Sequence, residues 1–423
     1  MRLSKEISMK NIILKFIHRV LASYARKVIS KNSPFVIAIT GSVGKTSTKE
    51  AIFQILHDKY GDSVRKNYGN LNAEIGIPLT ILGYEKLPNK FLWPIFLLLA
   101  GFKTNPKEYP KYLILEMGVE HLGDIKYFCS IVQPNIAVVT STSPAHIVNF
   151  KDAEEYKNEK ISIINCLEEG GKAIVNFDDP ELAKLKGENI TSIAIDNKEA
   201  QYRAENIKLA LSGTEYRICK TGYKISIKSK LLGNQMVYAQ TIALALADLM
   251  QMPLVEASKS LEKMMPLPGR LNLIEGKNNT VIIDDTYNAN PASSKLAISL
   301  LDNLNYKYRK VAILGSMNEL GSYEEGAHEE VAGFLKGKCD LAIFVGKNSS
   351  IMQKTYGEKS LRFATRQELV KNLGKIIKKD DLILVKASQN NNFLEEVVKK
   401  LMNNPKDAGK LLVRQGSEWR GKK

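Results

Sequence analysis

No stretch of this sequence approaches the roughly twenty consecutive apolar residues that a membrane-spanning helix requires. The longest apolar run, Phe91 to Phe102 (FLWPIFLLLAGF), is about half that length and contains Pro94, so it reads as a buried or interfacial segment. Cysteine is scarce as well. Cys129, Cys166, Cys219 and Cys339 are scattered, with no C-x-x-C pair and no histidine at metal-ligand spacing, which excludes a disulfide scaffold and a zinc module and fits a reducing cytoplasm. The N-terminus lacks the small-residue cleavage site of a secretory signal. No nucleic-acid module accompanies the formal charge of +16, and the lysines behind it are spread along the whole chain, so no nucleic-acid partner is expected. Internal repeats and low-complexity tracts are missing too, apart from a polar, basic tail after Leu412.

What is present is a globular composition, 44% hydrophobic and 25% charged, over 423 residues, more than one ordinary core holds. Residues 1–34 predict an amphipathic helix, because Ile13, Phe16, Ile17, Val20, Leu21, Tyr24 and Val28 recur at helical spacing with Lys15, His18, Arg19, Arg26 and Lys27 between them. Two uses of it stay open: packing on the protein's own body, or docking on a membrane surface or a protein partner. Phe35 to Ile39 then predicts a strand, followed by a glycine turn and a helix from Thr46 to Leu56. Further strands at Tyr112–Met117, Ile136–Thr140 and Ala173–Asn176 are spaced widely enough for crossover helices, which implies a parallel sheet covered on both faces. From about Thr191 to Lys230, TEYRI and YKISIKS alternate apolar and polar residues as antiparallel strands do, and a helix at Val237–Met250 follows. The breaker-rich Met265–Arg270 predicts a hinge; beyond it come strands at Val281–Ile283, Val311–Leu314, Ala342–Val345 and Leu382–Val385. The expected organisation is the helix of 1–34, an α/β domain over 35–270 with a P-loop NTPase-like parallel sheet and an antiparallel portion, and a Rossmann-like α/β domain over 271–423.

The sharpest local motif is Gly41-Ser42-Val43-Gly44-Lys45-Thr46-Ser47, between strand and helix. Glycines turn backbone N–H groups inward around phosphate oxygens, the helix N-terminus adds its positive dipole end, Lys45 supplies a point charge and Thr46 a hydroxyl for Mg²⁺. This predicts a nucleoside triphosphate site. Glu116 ends a buried strand, where an unpaired carboxylate is costly; a Mg²⁺ shared with Thr46 would resolve that, as would a salt bridge or a cap.

The compact G-x-x-G-K-T loop, with Thr40 before it and Thr48 after it, resembles that of the Mur ligases and their folylpolyglutamate synthase relatives. The resemblance runs along almost the whole chain: Asn70-Leu71-Asn72 with Ile75-Gly76-Ile77-Pro78, Leu115-Glu116-Met117-Gly118, Asp284-Asp285-Thr286-Tyr287-Asn288-Ala289-Asn290-Pro291, and Gly315-Ser316-Met317-Asn318-Glu319-Leu320-Gly321. These motifs are most similar to the branch that adds D-alanyl-D-alanine to a cell-wall precursor peptide. The resemblance implies a cytoplasmic, monomeric, ADP-forming ligase that joins this or a similar amino acid or dipeptide through an acyl phosphate. A pseudomurein-type or other amino-acid ligase of the family is the alternative within the class, and a non-catalytic nucleotide-binding scaffold the alternative outside it.

By resemblance, ATP, two Mg²⁺ ions and CO₂, the last as a carbamate on Lys160, are the implied cofactors. Thr46, Glu116, His146 and Lys160 are the implied metal ligands, with Lys45 and Arg270 completing the catalytic set. Arg270, Asp285, Tyr287 and Asn288 are expected to close on ATP, and Asn70, Asn72, Lys386 and Ser388 to meet the substrate. The chain departs from the family pattern at Ile147-Val148, at Ala387 and Gln389, and at Gly233–Ala239, where the family carries G-x-H-N-x-x-N near adenine. About forty residues precede Gly41, so no separate uridine-binding domain is expected, and recognition is expected to rest on the precursor's peptide.

Overall fold

Five of the six residues in FVIAIT are buried, and a β-rich run that is apolar on both sides belongs in the middle of a covered parallel sheet. It forms β1 (Phe35–Thr40) in the computed structural model, which describes residues 2–69, 71–88, 93–144, 147–389 and 391–419, with side chains from residue 13 onward except Glu418. The residues group into two units, one of 1–142, 149–203 and 238–260, the other of 143–148, 204–237 and 261–423.

In the first unit β1 follows α1 (Arg2–Asn32) and leads to α2 (Lys45–Tyr60), β2 (Val64–Lys66), α3 (Gly76–Ile81), α4 (Trp93–Phe102) and β3 (Tyr112–Glu116). Next come α5 (Asp124–Cys129), β4 (Ile136–Val139), α6 (Ala153–Ile161), β5 (Lys172–Asn176), β6 (Ile190–Ala194) and the start of β7 (Tyr202–Ala210). Most of α7 (Asn234–Leu249) and α8 (Leu254–Glu262) belong here as well. The strands pair in parallel in the order β2-β3-β1-β4-β5-β6. β1 therefore lies between two strands reached by long crossovers on opposite sides, and ligands in such sheets bind at the carboxyl ends beside that switch point. Register brings the three ends level: Ile39 sits opposite Glu116 and Thr40 opposite Val139.

In the second unit β8 (Gly213–Lys220) and β9 (Tyr223–Ser229) form an antiparallel hairpin. Then follow β10 (Asn272–Glu275), β11 (Val281–Asp285), α9 (Pro291–Asn303), β12 (Lys310–Gly315), α10 (Glu324–Leu335), β13 (Leu341–Val345) and α11 (Ser349–Tyr356). β14 (Ser360–Phe363), α12 (Arg366–Ile376), β15 (Leu382–Lys386), α13 (Glu395–Leu401) and α14 (Ala408–Leu411) complete it. The sheet order is β10-β11-β15-β12-β13-β14, parallel except for the edge strand β10. Alternate residues such as Ile283, Leu384 and Ala312, or Ile282, Ile383 and Val311, feed separate cores on its two faces. The α/β architecture read from the sequence is thus the one observed.

One element differs. Thr191–Ala194, expected among the antiparallel strands, extends the parallel sheet as β6. Its polar residues are buried: Ser192 is 3% exposed, and its hydroxyl accepts from the Gln201 N–H at 3.0 Å, so the serine is satisfied locally inside the sheet. In α1, Leu21, Ala25 and Val28 are fully buried, so this half packs on the protein's own body, whereas Ile13, Leu14 and Phe16 are exposed. Among the described residues no helix is long and apolar enough to cross a membrane.

Candidate active site

The loop after β1 depends on two glycines with positive φ, Gly41 at 139° and Gly44 at 87°. A Cβ on Gly41 would lie 2.0 Å from Thr140 Oγ1 and 2.9 Å from the Ser141 nitrogen, so this position takes no side chain. Two bonds strap the loop to the end of β4: Thr140 Oγ1 donates to the Val43 carbonyl at 2.6 Å, and the Ser42 N–H to the Ser141 carbonyl at 2.9 Å. No side chain caps the start of α2, and a helix N-terminus in this position favours an anion. Lys45 Nζ folds back over the loop and donates to the Gly41 carbonyl at 2.6 Å.

Beside this loop, β3 delivers Glu116, 3% exposed. Its Oε1 accepts from Thr46 Oγ1 at 3.1 Å and from Asn72 Nδ2 at 3.3 Å, and its Oε2 lies 3.1 Å from Lys49 Nζ. Asn67 fixes the backbone from both sides, accepting from the Glu116 N–H and donating to its carbonyl, each at 2.9 Å. Adjacent corners of a Mg²⁺ octahedron with ~2.1 Å bonds are about 3 Å apart. The Thr46 and Glu116 oxygens have that spacing and are hard donors, so the pair fits Mg²⁺.

Lys160 reaches the same region from α6, whose first turn is capped by Asp152 accepting from the Glu155 N–H at 2.9 Å. Tyr156 and Lys160, one turn apart on the inward face, are both buried, with Lys160 Nζ 4.3 Å from the centre of the Tyr156 ring. Burial drives the Lys160 ammonium well below the usual lysine range and the charge of Lys45 pushes the same way, against the opposing pull of Glu159 and Asp124. The Tyr156 hydroxyl lies 3.2 Å from Ser42 Oγ, tying α6 to the loop. Glu159 and Asp124 are themselves occupied: Glu159 Oε1 accepts from the Ile125 N–H, and Asp124 Oδ2 from those of Glu120 and His121, each at 2.8 Å.

In the second unit the residues singled out from DDTYNANP gather at the carboxyl ends of β11 and β15. Asp285 pairs with Lys386 at 2.5 Å, and both are buried. Lys386 Nζ also donates to the Asn288 carbonyl at 3.0 Å, and Ser388 Oγ to Asn288 Oδ1 at 2.8 Å. Lys386 and Ser388 thus hold the loop's shape from beneath. The Arg270 guanidinium stacks over the Tyr287 ring, 4.0 Å from its centre. Asp284 is fully buried and accepts from Thr286 Oγ1 at 2.6 Å and the Gly269 N–H at 3.1 Å; burial nonetheless lifts its carboxyl to about 7.

Asn70 and His146 lie outside the described residues. Several residues that organise the site were not picked out from the sequence. Lys49 is one turn beyond Lys45 on α2, a spacing that puts both on one face. Asn67, Tyr156 and Arg414 carry no motif of their own. Arg414 forms a two-point pair with the fully buried Glu395, at 3.0 and 2.8 Å, and donates to the carbonyls of Thr286 at 2.6 Å and Tyr287 at 3.1 Å. In the divergent stretch Gly233–Ala239, the Tyr238 hydroxyl donates to Asp178 at 2.7 Å, a carboxylate that also accepts from the N–H groups of Ile195 and Asn197.

Residues 39–247 match the Mur ligase middle domain, and residues 269–389 the Mur ligase glutamate ligase domain. The chain is 30% identical over 410 residues to the UDP-N-acetylmuramoyl-tripeptide–D-alanyl-D-alanine ligase of Buchnera aphidicola subsp. Baizongia pistaciae, an alignment covering 95% of this chain and 83% of the relative. Among solved structures it is similar to MurF from Acinetobacter baumannii, with TM-score 0.77 and 26% identity over 91% of this chain and 80% of that one. It is also similar to the MurF ligase of Thermotoga maritima in complex with ADP, with TM-score 0.74 and 26% identity over 88% and 80% of the two chains.

Proposed function

Because the chain belongs to the Mur ligase family, we propose that it joins D-alanyl-D-alanine to the peptide of a UDP-N-acetylmuramoyl-tripeptide, converting ATP to ADP and phosphate. The observation that carries this reading is the convergence of the glycine loop, Glu116 and Lys160 in one buried site, in a chain alignable over most of its length with relatives named for that reaction. A carboxylate carbon is a poor electrophile, so the tripeptide carboxylate first takes the γ-phosphoryl group, giving an acyl phosphate and ADP. The dipeptide amine then attacks the acyl carbon; a tetrahedral intermediate expels phosphate, and the amine's proton leaves as the amide forms.

This chain's residues serve that sequence by neutralising oxyanions and holding geometry. The N–H groups of the loop through Ser47 and the Lys45 ammonium cradle the phosphates. Thr46 and Glu116 would hold one Mg²⁺, and His146 with Lys160 a second. Bound there, Mg²⁺ spreads the negative charge that builds on the transferring phosphoryl oxygens. Burial disfavours the Lys160 ammonium and so favours reaction of its Nζ lone pair with CO₂: an N–C bond forms, one proton departs from the nitrogen, and the side chain ends in a carbamate anion. By the family resemblance, Arg270, Asp285, Tyr287 and Asn288 are assigned to the nucleotide, and Asn70, Asn72, Lys386 and Ser388 to the substrate. The reading is of a monomer acting in the cytoplasm, where ATP is available.

The test is phosphate release with purified protein, ATP and Mg²⁺ across precursor peptides and dipeptides, with the product identified by mass. Release that requires both UDP-N-acetylmuramoyl-tripeptide and D-alanyl-D-alanine is expected. Release with a different amine or acceptor alone, or none with any pair, overturns the assignment.

A further inference from the structure

We propose that the outer face of α4, with the basic helix α1 packed beside it, docks the protein on the surface of an anionic lipid bilayer. The observation is a helix apolar on every side that leaves one face in solvent. In WPIFLLLAGF, Ile95, Leu98, Leu99 and Phe102 fall at i, i+3, i+4 and i+7, a single stripe. That stripe faces solvent: the four side chains are 60%, 68%, 54% and 76% exposed. The inward face is already satisfied. Ala100 is fully buried, Phe96 packs against Tyr84 with ring centres 4.7 Å apart, and a Cβ on Gly101 would come within 3.3 Å of the Tyr24 hydroxyl of α1. No charged residue interrupts the helix. A contiguous apolar stripe of this kind is uncommon on a soluble protein unless something covers it.

Length and charge choose the occupant. Ten residues of helix extend about 15 Å, half of a bilayer's hydrocarbon thickness, so α4 can lie in the headgroup boundary but not traverse the membrane. The surroundings are cationic. From Ile13 to Asn32, α1 exposes Lys15, Arg19, Arg26, Lys27 and Lys31 and carries no acidic residue, and it also exposes Ile13 and Phe16. Lys31 hydrogen-bonds Asn105, which joins the end of α1 to the segment just after α4. Lys103 and Lys107 are exposed in that segment beside one acid, Glu108, and before α4 the exposed Glu85 is matched by Lys86, so the cations of α1 set the sign. Apolar side chains ringed by lysine and arginine match an interface of acyl chains beneath anionic headgroups. A second copy meeting this face about a two-fold axis would instead bring like charges together.

The experiment is flotation of the full chain with vesicles of phosphatidylcholine alone or with about one third phosphatidylglycerol, for the native protein, Leu98→Glu/Leu99→Glu and Lys15→Glu/Arg19→Glu. All four positions are solvent-exposed, so folding, checked by circular dichroism, is expected to survive. Native protein should partition at least tenfold more strongly onto the anionic vesicles. Leu98→Glu/Leu99→Glu should lower that partition at least tenfold and Lys15→Glu/Arg19→Glu several-fold. Absence of flotation with anionic vesicles overturns the proposal. Undiminished flotation of the leucine variant does so too, because the chain's net charge alone would then explain binding. A lipid-free dimer in sedimentation velocity that the leucine variant abolishes would overturn it in favour of self-association.

Discussion

Replacing Lys49 by methionine tests whether the carboxylate of Glu116 is held by a buried counter-ion. Both side chains are nearly inaccessible, 2% and 4% exposed, and their charged atoms are 3.1 Å apart. Removing one partner of such a pair typically costs about 3–5 kcal/mol, because the other charge stays buried. Glu116 would keep the Thr46 hydroxyl and the Asn72 amide, which offset roughly 1 kcal/mol, while Asn67 loses the donor on its carbonyl. The net loss should be about 2–4 kcal/mol. Glu116→Gln in the same chain removes the stranded charge, so the double variant should recover about 2 kcal/mol of it. The sequence has two tryptophans, Trp93 in the first unit and Trp419 in the second. Urea unfolding followed by fluorescence in a Trp419→Phe background therefore reports on the first unit alone. Lys49→Met should also change the Mg²⁺ concentration needed for half-maximal turnover, because the Glu116 carboxylate loses the cation that holds its Oε2 in place. A coupling below ~0.5 kcal/mol between the two substitutions would show that the pair is not a unit.

Three further outcomes are expected. Lys160→Ala should nearly abolish turnover, and short carboxylic acids in solution should restore part of it; near-native turnover in the variant would rule out a carbamate role. For Asp284, burial raises the folded-state value to about 7, so between pH 4 and pH 7 the folded protein holds a proton the unfolded chain has released. Stability of the second unit should fall as pH rises through that window, by up to about 4 kcal/mol, and Asp284→Asn should flatten the slope seen by Trp419 fluorescence; parallel slopes would contradict this. Arg414→Ala takes the two-point guanidinium partner from the fully buried Glu395 and releases two loop carbonyls, so it should cost up to about 3–5 kcal/mol and raise KM for ATP severalfold, with Arg414→Lys a poor substitute because it lacks the planar fork. An unchanged KM in folded Arg414→Ala would separate the latch from nucleotide binding.

The parallel strands were legible because a strand covered on both faces is a short, unbroken apolar run, as FVIAIT and LILVK are. The phosphate loop was legible because only glycine-rich backbone makes its turns. Contacts that join distant segments left no such trace. Lys49 reads as one more lysine on a helix, and only the end of β3 makes it a counter-ion. Arg414 lies more than a hundred residues from the carbonyls it grips, in a tail whose polar composition suggested nothing but solvent. The run through Phe102 was legible as unusual but not in its orientation, since a helix apolar on every side has no periodicity to say which side faces out. β6 was misplaced because the alternation of TEYRI and YKISIKS was extended back to about Thr191, where ITSIA is in fact buried and parallel.

The fit between Gly41 and Thr140 has a genetic consequence. A Cβ at residue 41 has no rotamer with which to escape, so even alanine meets a 2.0 Å overlap in addition to a backbone angle it disfavours. Substitutions there should therefore behave as a switch and not a dial, with alanine, serine and valine alleles equally null. Shortening Thr140 should not rescue them, because the Ser141 backbone nitrogen would still lie 2.9 Å from the same Cβ and the hydroxyl that straps the loop to Val43 would be lost, so second-site suppressors at residue 140 are not expected.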